Sequence, residues 1–169
     1  MVHSVELVLD SGTEAAVRST WESLRANGIP AQSPATRPHV TLTVAERIDP
    51  GVIAALATVL ERLPLRCRIG GALVFGRSAA VLARSVVPSA ELLELHATVC
   101  RLTADHLTPG PMPHTRPGEW APHVTLGRRI PADGLVAALR LAGDPAELVG
   151  DFVGLRYWDG DAKREFPIT

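Results

Sequence analysis

Two histidines and two threonines are laid out on one template in this chain. His39-Val40-Thr41-Leu42 and His123-Val124-Thr125-Leu126 are the same tetrapeptide, each directly behind a proline, Pro38 and Pro122. β-Branched and apolar residues that follow a turn-former spell a β-strand. Side chains alternate between the two faces of a strand, so His39 and Thr41 project together while Val40 and Leu42 point the other way. His123 and Thr125 do the same. A lone His-x-Thr is ordinarily a structural pair, but core packing asks for apolar residues of suitable size and not for a repeated imidazole. The duplication therefore points to chemistry. Two imidazoles on opposite sides of one substrate suit an in-line displacement, one taking a proton from the attacking group and the other giving one to the leaving group. Histidine populates both protonation states near neutrality, with an unperturbed pKa of about 6.5. The two hydroxyls, with nearby backbone N–H groups, suit the non-bridging oxygens of a phosphate. This chemistry calls for no metal, and the carboxylate clustering of a metal-dependent phosphatase is missing.

The elements that must position these residues follow from periodicity. Val2–Leu9 alternates and reads as a strand; Asp10-Ser11-Gly12 supplies cap and turn residues. A helical pattern from Thr13 (Ala16, Val17, Trp21, Leu24, Ala26) stops at Asn27-Gly28. A Pro- and Ser-rich loop leads into the first His strand, which ends near Ala45. Asp49-Pro50 opens a second helix with the stripe Val52, Ile53, Leu56, Val59, Leu60 and Leu63. Leu65–Phe75 is strand-like with a break at Gly70-Gly71, and Gly76-Arg77-Ser78 turns it into a hairpin with Ala79–Arg84. Pro88-Ser89 starts a third helix. Thr108–Gly118 has proline at four of eleven positions, which excludes any regular element there. The second His strand follows. Pro131-Ala132-Asp133 then opens a short helix, and Glu147–Trp158 with Lys163–Ile168 forms a closing hairpin.

The halves rhyme. About a dozen residues after each His strand comes a helix with the same run, Val-Ile-Ala-Ala-Leu at 52–56 and Val-Ala-Ala-Leu at 136–139. A duplicated lobe with a pseudo-twofold axis is the expectation. Strands, interspersed helices and hairpins indicate an α+β fold with antiparallel strands and outer helices. The length of 169 residues fits a single bilobal domain over residues 1–169.

Composition narrows the function. A formal net charge of −1 lacks the basic field of a general nucleic-acid binder, so a DNA duplex is not expected as a partner. Cys67 and Cys100 are too few and too far apart for a disulfide framework or a zinc knuckle, and they read as free thiols in a reducing compartment. The first residues argue against a secretory signal, and no apolar run reaches membrane-spanning length. A cytoplasmic monomer without membrane contact is the expectation.

The paired motifs resemble those of the 2H phosphoesterase superfamily, and within it the 2′-5′ RNA ligase and cyclic nucleotide phosphodiesterase branch. The resemblance spans essentially the whole chain. It implies two lobes of antiparallel strands around a central cleft, no cofactor and no essential metal. It also implies His39 and His123 as the acid–base pair and Thr41 and Thr125 as phosphate ligands. The family's usual reaction opens a 2′,3′-cyclic phosphate to a 2′-phosphomonoester, and some members join or cleave 2′-5′ linkages in RNA. A nucleotide or RNA end bearing such a phosphate is the implied substrate. His-Val-Thr-Leu-Gly-Arg adds Arg128 as a further phosphate contact. After the first motif the chain reads Thr43-Val44-Ala45-Glu46 in place of the ligase-like aromatic-Leu-Gly, so the ligase activity is set apart from the catalytic pair.

Trp120, His114 and Tyr157 are candidates for base stacking or a lid, with Trp120 equally readable as a hydrophobic plug under the Pro-rich loop. Of Arg156 and Tyr157, strand parity sends one toward the cleft. Arg66 and Arg68 are expected on a solvated sheet face. His3, His96 and His106 read as structural or exposed. The rival functions are a nucleotide-binding module without turnover and a 2H enzyme acting on ADP-ribose 1″,2″-cyclic phosphate or a cyclic oligonucleotide. A metallohydrolase lacks any HxH or HExxH spacing to support it.

Overall fold

The computed structural model describes residues 1–76 and 79–169. In chain order its elements are β1 (His3–Leu9), α1 (Ser11–Ala26), β2 (His39–Ala45), β3 (Arg47–Ile48) and α2 (Val52–Leu56), which tightens into a 3₁₀ helix over Ala57–Arg62. Then come β4 (Leu65–Phe75), β5 (Ala80–Val86), α3 (Ala90–Thr103), β6 (Leu107–Thr108) and β7 (His123–Ile130). After these come α4 (Leu135–Ala142), β8 (Leu148–Asp159) and β9 (Arg164–Pro167). The fold is α+β, as the periodicity predicts. Of the expected turn at Gly76-Arg77-Ser78, Arg77 and Ser78 lie outside the described residues.

Local chemistry sets the element ends. The Asp10 carboxylate caps α1, accepting from Thr13 N at 3.0 Å and Thr13 Oγ1 at 2.7 Å, and it also accepts from Asp151 N at 2.8 Å. Partial burial alone would raise the Asp10 pKa, but these donors bring it down to about 2. Ser89 caps α3 through Leu92 N. The second helix has no side-chain cap, and it keeps α-helical geometry only from Val52 to Leu56.

The strands form a seven-stranded antiparallel sheet in the order β1-β2-β7-β5-β4-β8-β9, and β8 pairs with β1 as well. The path β1-β2-β7-β5-β4-β8 thus returns to its start. The twelve residues of β8 make this closure, residues 148–152 lying along β4 and residues 152–158 along β1. On the opposite side the ring is pinched, because β2 and β7 share a single ladder pair, Val40 with Val124. Helices α1 and α4 pack over β7, β8 and β5, whereas α2 and α3 pack together beside β2. Val40, Leu42, Val124 and Leu126 are buried in the core beneath the pinch.

The break expected at Gly70-Gly71 is a register shift inside one continuous strand, with the pairing of β4 on β5 slipping between Ile69 and Ala72. The buried guanidinium of Arg84 fills the irregularity, donating Nε–H to Gly70 O at 2.7 Å and Nη2–H to Ala146 O at 2.8 Å. Past α1 the chain crosses β7 closely, Gln32 N donating to Leu126 O at 2.9 Å. This approach requires Gly127, since a Cβ there would stand 2.1 Å from Pro30 O.

Candidate functional site

At the pinch the two His strands come together. The ladder pair Val40–Val124 points into the core, so the alternation turns His39, Thr41, His123 and Thr125 to the opposite face. Both imidazoles are fixed in the same way. His39 Nδ1–H donates to Arg37 O at 2.8 Å, and His123 Nδ1–H donates to Ala121 O at 2.8 Å. In each case the acceptor is the carbonyl two residues upstream, across the proline. Proline fixes φ between that carbonyl and the histidine, which restricts the chain over this step. A carbonyl only accepts, so each Nδ1 carries the proton and each Nε2 is left for chemistry.

The threonines are braced in parallel fashion. Strands that share one ladder pair leave neighbouring edge carbonyls without a strand partner. Trp120 Nε1–H donates to Thr41 O at 2.9 Å, and Trp21 Nε1–H donates to Thr125 O at 3.2 Å. One indole from the loop before β7 thus holds β2, and one from α1 holds β7.

The surroundings of the two histidines differ. Glu6, on β1, lies opposite Thr41 on one side and Arg156 on the other. Its Oε1 stands 3.4 Å from His39 Nε2 and accepts from Ser4 Oγ at 2.6 Å, while its Oε2 accepts from Arg156 Nε at 2.6 Å. Both Glu6 and Arg156 are buried. His123 meets the edge of Phe75, with ring centroids 5.2 Å apart and planes at 68°. Burial pushes its pKa below the ordinary histidine value. The Ala121 carbonyl opposes this, and the positive charges of Arg128 and His39 add to the lowering.

The family model for the 2′-5′ RNA ligase superfamily matches residues 13–162. The chain belongs to that superfamily. Solved structures agree in fold. TT0787 of Thermus thermophilus superposes with a TM-score of 0.61 at 17% identity, covering 100% of this chain and 96% of its own. E. coli LigT complexed with 3′-AMP gives 0.59 at 15%, covering 99% and 94%. Kluyveromyces marxianus Usb1 gives 0.52 at 13%, covering 99% and 97%. At these identities the likeness is one of fold. No curated protein matches the sequence.

Other residues singled out in the sequence of this superfamily member fall as follows. Arg128 is exposed on β7 and close enough to His123 for its charge to be felt there. Trp120 stacks on His96, with centroids 3.9 Å apart and planes at 6°, and packs against the core as a plug does. His96 is buried, its Nε2–H shared between Leu42 O and Thr115 O. Burial lowers its pKa against the raising effect of these carbonyls. His114 is exposed at a φ of 65° on the Pro-rich loop, which is tied down by Met112 N on Val44 O and Thr115 Oγ1 on Met112 O.

Tyr157 requires a correction. It is buried on the face of β8 away from His39 and His123, accepting from His3 Nδ1 at 2.8 Å and donating to Ile48 O at 3.1 Å, with Phe166 stacked on it. The register Glu6–Arg156 gives the site face to its neighbour Arg156, so Tyr157 neither stacks on a base nor covers the site. Arg66 and Arg68 are exposed and paired, with Asp151 at 3.8 Å and Glu147 at 2.6 Å. His3, Asp159 and Asp161 form the cluster of three metal-ligand types among the described residues. Its atoms are engaged in holding the start of β1 to the β8–β9 turn, where Asp159 Oδ1 accepts from Asp161 N and Ala162 N.

Sequence reading missed Glu6 and Phe75. Glu6 had a signal, a carboxylate between Val5 and Leu7 on an alternating strand. Phe75 had none, because its place beside His123 depends on the strand order β7-β5-β4.

Proposed function

We propose that this protein is a metal-independent phosphoesterase that opens 2′,3′-cyclic phosphates of nucleotides or RNA ends to 2′-phosphomonoesters, with His39 and His123 as its acid–base pair. The observation that carries this reading is the matched presentation of two imidazoles. Each is locked by Nδ1 to a carbonyl across a proline, and each stands beside a threonine on the same face of adjoining strands. Binding alone has no use for two such groups; an in-line displacement uses both.

In this scheme His123 Nε2 takes a proton from water as the water oxygen bonds to phosphorus. The bond from phosphorus to the ribose 3′ oxygen breaks, and His39 Nε2 gives that oxygen its proton. The product keeps the phosphate on the 2′ oxygen. Thr41 and Thr125 hydroxyls hold the non-bridging oxygens, with Arg128 as a further cation on the same strand as His123. Side chains supply every proton transfer. Lowering of the His123 pKa suits the base, which must start neutral. Membership in the 2′-5′ RNA ligase superfamily supports a phosphoesterase, and LigT and Usb1 structures carrying 3′-AMP and uridine monophosphate support a nucleotide substrate.

The test is turnover of nucleoside 2′,3′-cyclic monophosphates in EDTA, run beside His39→Ala and His123→Ala. The wild type is expected to release the 2′-phosphate, and each variant to fall by about 10²–10⁴-fold with its melting temperature nearly kept. Full activity in both variants, or loss of wild-type turnover on chelation, refutes the scheme.

A further inference from the structure

We infer that Glu6, gripped by Arg156, is a positioning residue that orients the His39 imidazole so that Nε2 serves the leaving oxygen. This rests on the two-histidine reading above and adds what breaks the equivalence of its two halves. The duplicated motif makes His39 and His123 interchangeable in their own strands, so any division of labour must come from residues outside the repeat.

The residues around His39 form a closed frame. Arg156 donates Nε–H to Glu6 Oε2 at 2.6 Å, Nη1–H to Glu165, and Nη2–H to Arg37 O at 3.3 Å. Arg37 O is the same carbonyl that accepts from His39 Nδ1. One guanidinium therefore steadies the acceptor behind the imidazole and also holds the carboxylate in front of it. Ser4 Oγ takes up the Glu6 oxygen that faces His39 Nε2. The imidazole is thus held between a carbonyl behind Nδ1 and a carboxylate 3.4 Å in front of Nε2.

The charges around His39 come from several elements, and Arg156 Nη2 itself lies 3.2 Å from His39 Nδ1. Glu6 on β1 and Glu165 on β9 stand against the single charge of Arg156 on β8. Arg37, just before β2, shares the Glu14 carboxylate of α1 with Arg18, at 2.9 and 3.0 Å. The asymmetry beside His39 is one of placement, with the Glu6 carboxylate on the Nε2 side of the ring and the Arg156 guanidinium on the Nδ1 side. His123 meets Phe75 and the cation Arg128, with no carboxylate in ion-pair contact among the described residues. The guanidinium of Arg156 is committed to Glu6, Glu165, Arg37 O and the Nδ1 side of His39, so it serves as a brace and not as a phosphate ligand.

A leaving group that needs no proton tests this directly. The substrate is a nucleoside 2′,3′-cyclic phosphate in which sulfur replaces the bridging 3′ oxygen, so that a thiolate departs unaided. On the oxygen substrate, His39→Ala, His123→Ala and Glu6→Gln should all lose turnover, Glu6→Gln by about tenfold or more. On the sulfur substrate, His39→Ala and Glu6→Gln should recover to within about tenfold of wild type, while His123→Ala stays inactive. Glu6→Asp should retain part of the oxygen-substrate rate. The double variant Glu6→Gln/Arg156→Met, which removes both buried charges, should fold and show the same rescue if Glu6→Gln alone does not fold. Equal losses of Glu6→Gln on both substrates would make Glu6 merely structural, and rescue of His123→Ala would reverse the roles; either overturns the inference. A wild type inactive on both substrates would instead overturn the two-histidine reading itself.

Discussion

Trp120 separates a brace from a base-stacking platform, and its substitutions read the two roles differently. Its indole N–H is spent on Thr41 O at 2.9 Å and its ring lies 3.9 Å from that of His96. Removing the N–H while keeping an aromatic ring, as in Trp120→Phe, leaves a strand carbonyl at the pinch without its donor and should cost about 1 kcal/mol. Trp120→Ala removes the ring as well. A core tryptophan cut to alanine costs about 3–5 kcal/mol, and partial exposure here brings that to about 2–4 kcal/mol. For a chain of this size each kcal/mol moves the melting temperature by about 2–4 °C. The alanine variant should therefore melt about 5–15 °C below wild type and the phenylalanine variant a few degrees below. Trp21→Phe, at the equivalent brace on Thr125 O, should lose at least as much as Trp120→Phe, because Trp21 is fully buried. Differential scanning calorimetry measures the shifts, and titration with a nucleoside monophosphate measures binding. Were Trp120 a base-stacking residue, alanine would weaken binding by about 1–3 kcal/mol and leave the fold alone. Unchanged melting in both Trp120 variants, with nucleotide affinity down tenfold or more in the alanine variant, refutes the brace.

Two other measurements bear on the frame around the site. Gly127→Ala drives a Cβ to 2.1 Å from Pro30 O, so the crossing loop must withdraw and give up Gln32 N–H to Leu126 O, at a cost of about 2–4 kcal/mol. Gly28→Ala, at a φ of 72° in open space, costs only the left-handed backbone term of about 1–2 kcal/mol. Thermal unfolding should rank Gly127→Ala below Gly28→Ala, and the reverse order would remove the close approach as the reason for glycine at 127. His96 and His123 are both held below the ordinary histidine pKa by burial. Between their folded values and about 6.5 the unfolded chain binds more protons, so stability should rise with pH across that window and be complete above it. His96→Gln, which keeps an N–H for the Leu42 carbonyl, should flatten the rise in denaturant titrations; an unchanged slope excludes His96 as its source.

What the sequence made legible was local. The repeated tetrapeptide, the Asp10 and Ser89 caps and the Pro-rich loop all depend on neighbours within a few residues, and each lies where periodicity sets it. The second helix was overextended because its apolar stripe continues through residues that the structure winds as a 3₁₀ helix. Arg156 and Tyr157 show where local reading stops. Alternation along β8 sends them to opposite faces, but only the register against β1, with Glu6 opposite Arg156, says which face holds the histidines. The same holds for Trp21 and Trp120, whose partners lie 104 and 79 residues away.

The symmetric and asymmetric parts of the site come from different parts of the chain. Everything the two halves share is written inside or just before the repeat, where the carbonyl before a proline fixes an imidazole and a threonine follows two residues on. A repeat can give only equal partners, and a displacement reaction needs unequal ones. The inequality enters through strands that belong to neither copy of the motif. Strand β1 brings a buried carboxylate and β8 a buried guanidinium to His39 alone, and the β4–β5 hairpin brings Phe75 to His123 alone. Closure of the sheet through β8 is what makes this delivery work, because β8 must reach β1 for Arg156 to meet Glu6. The architecture and the unequal surroundings of the two histidines thus come from the same strand pairing.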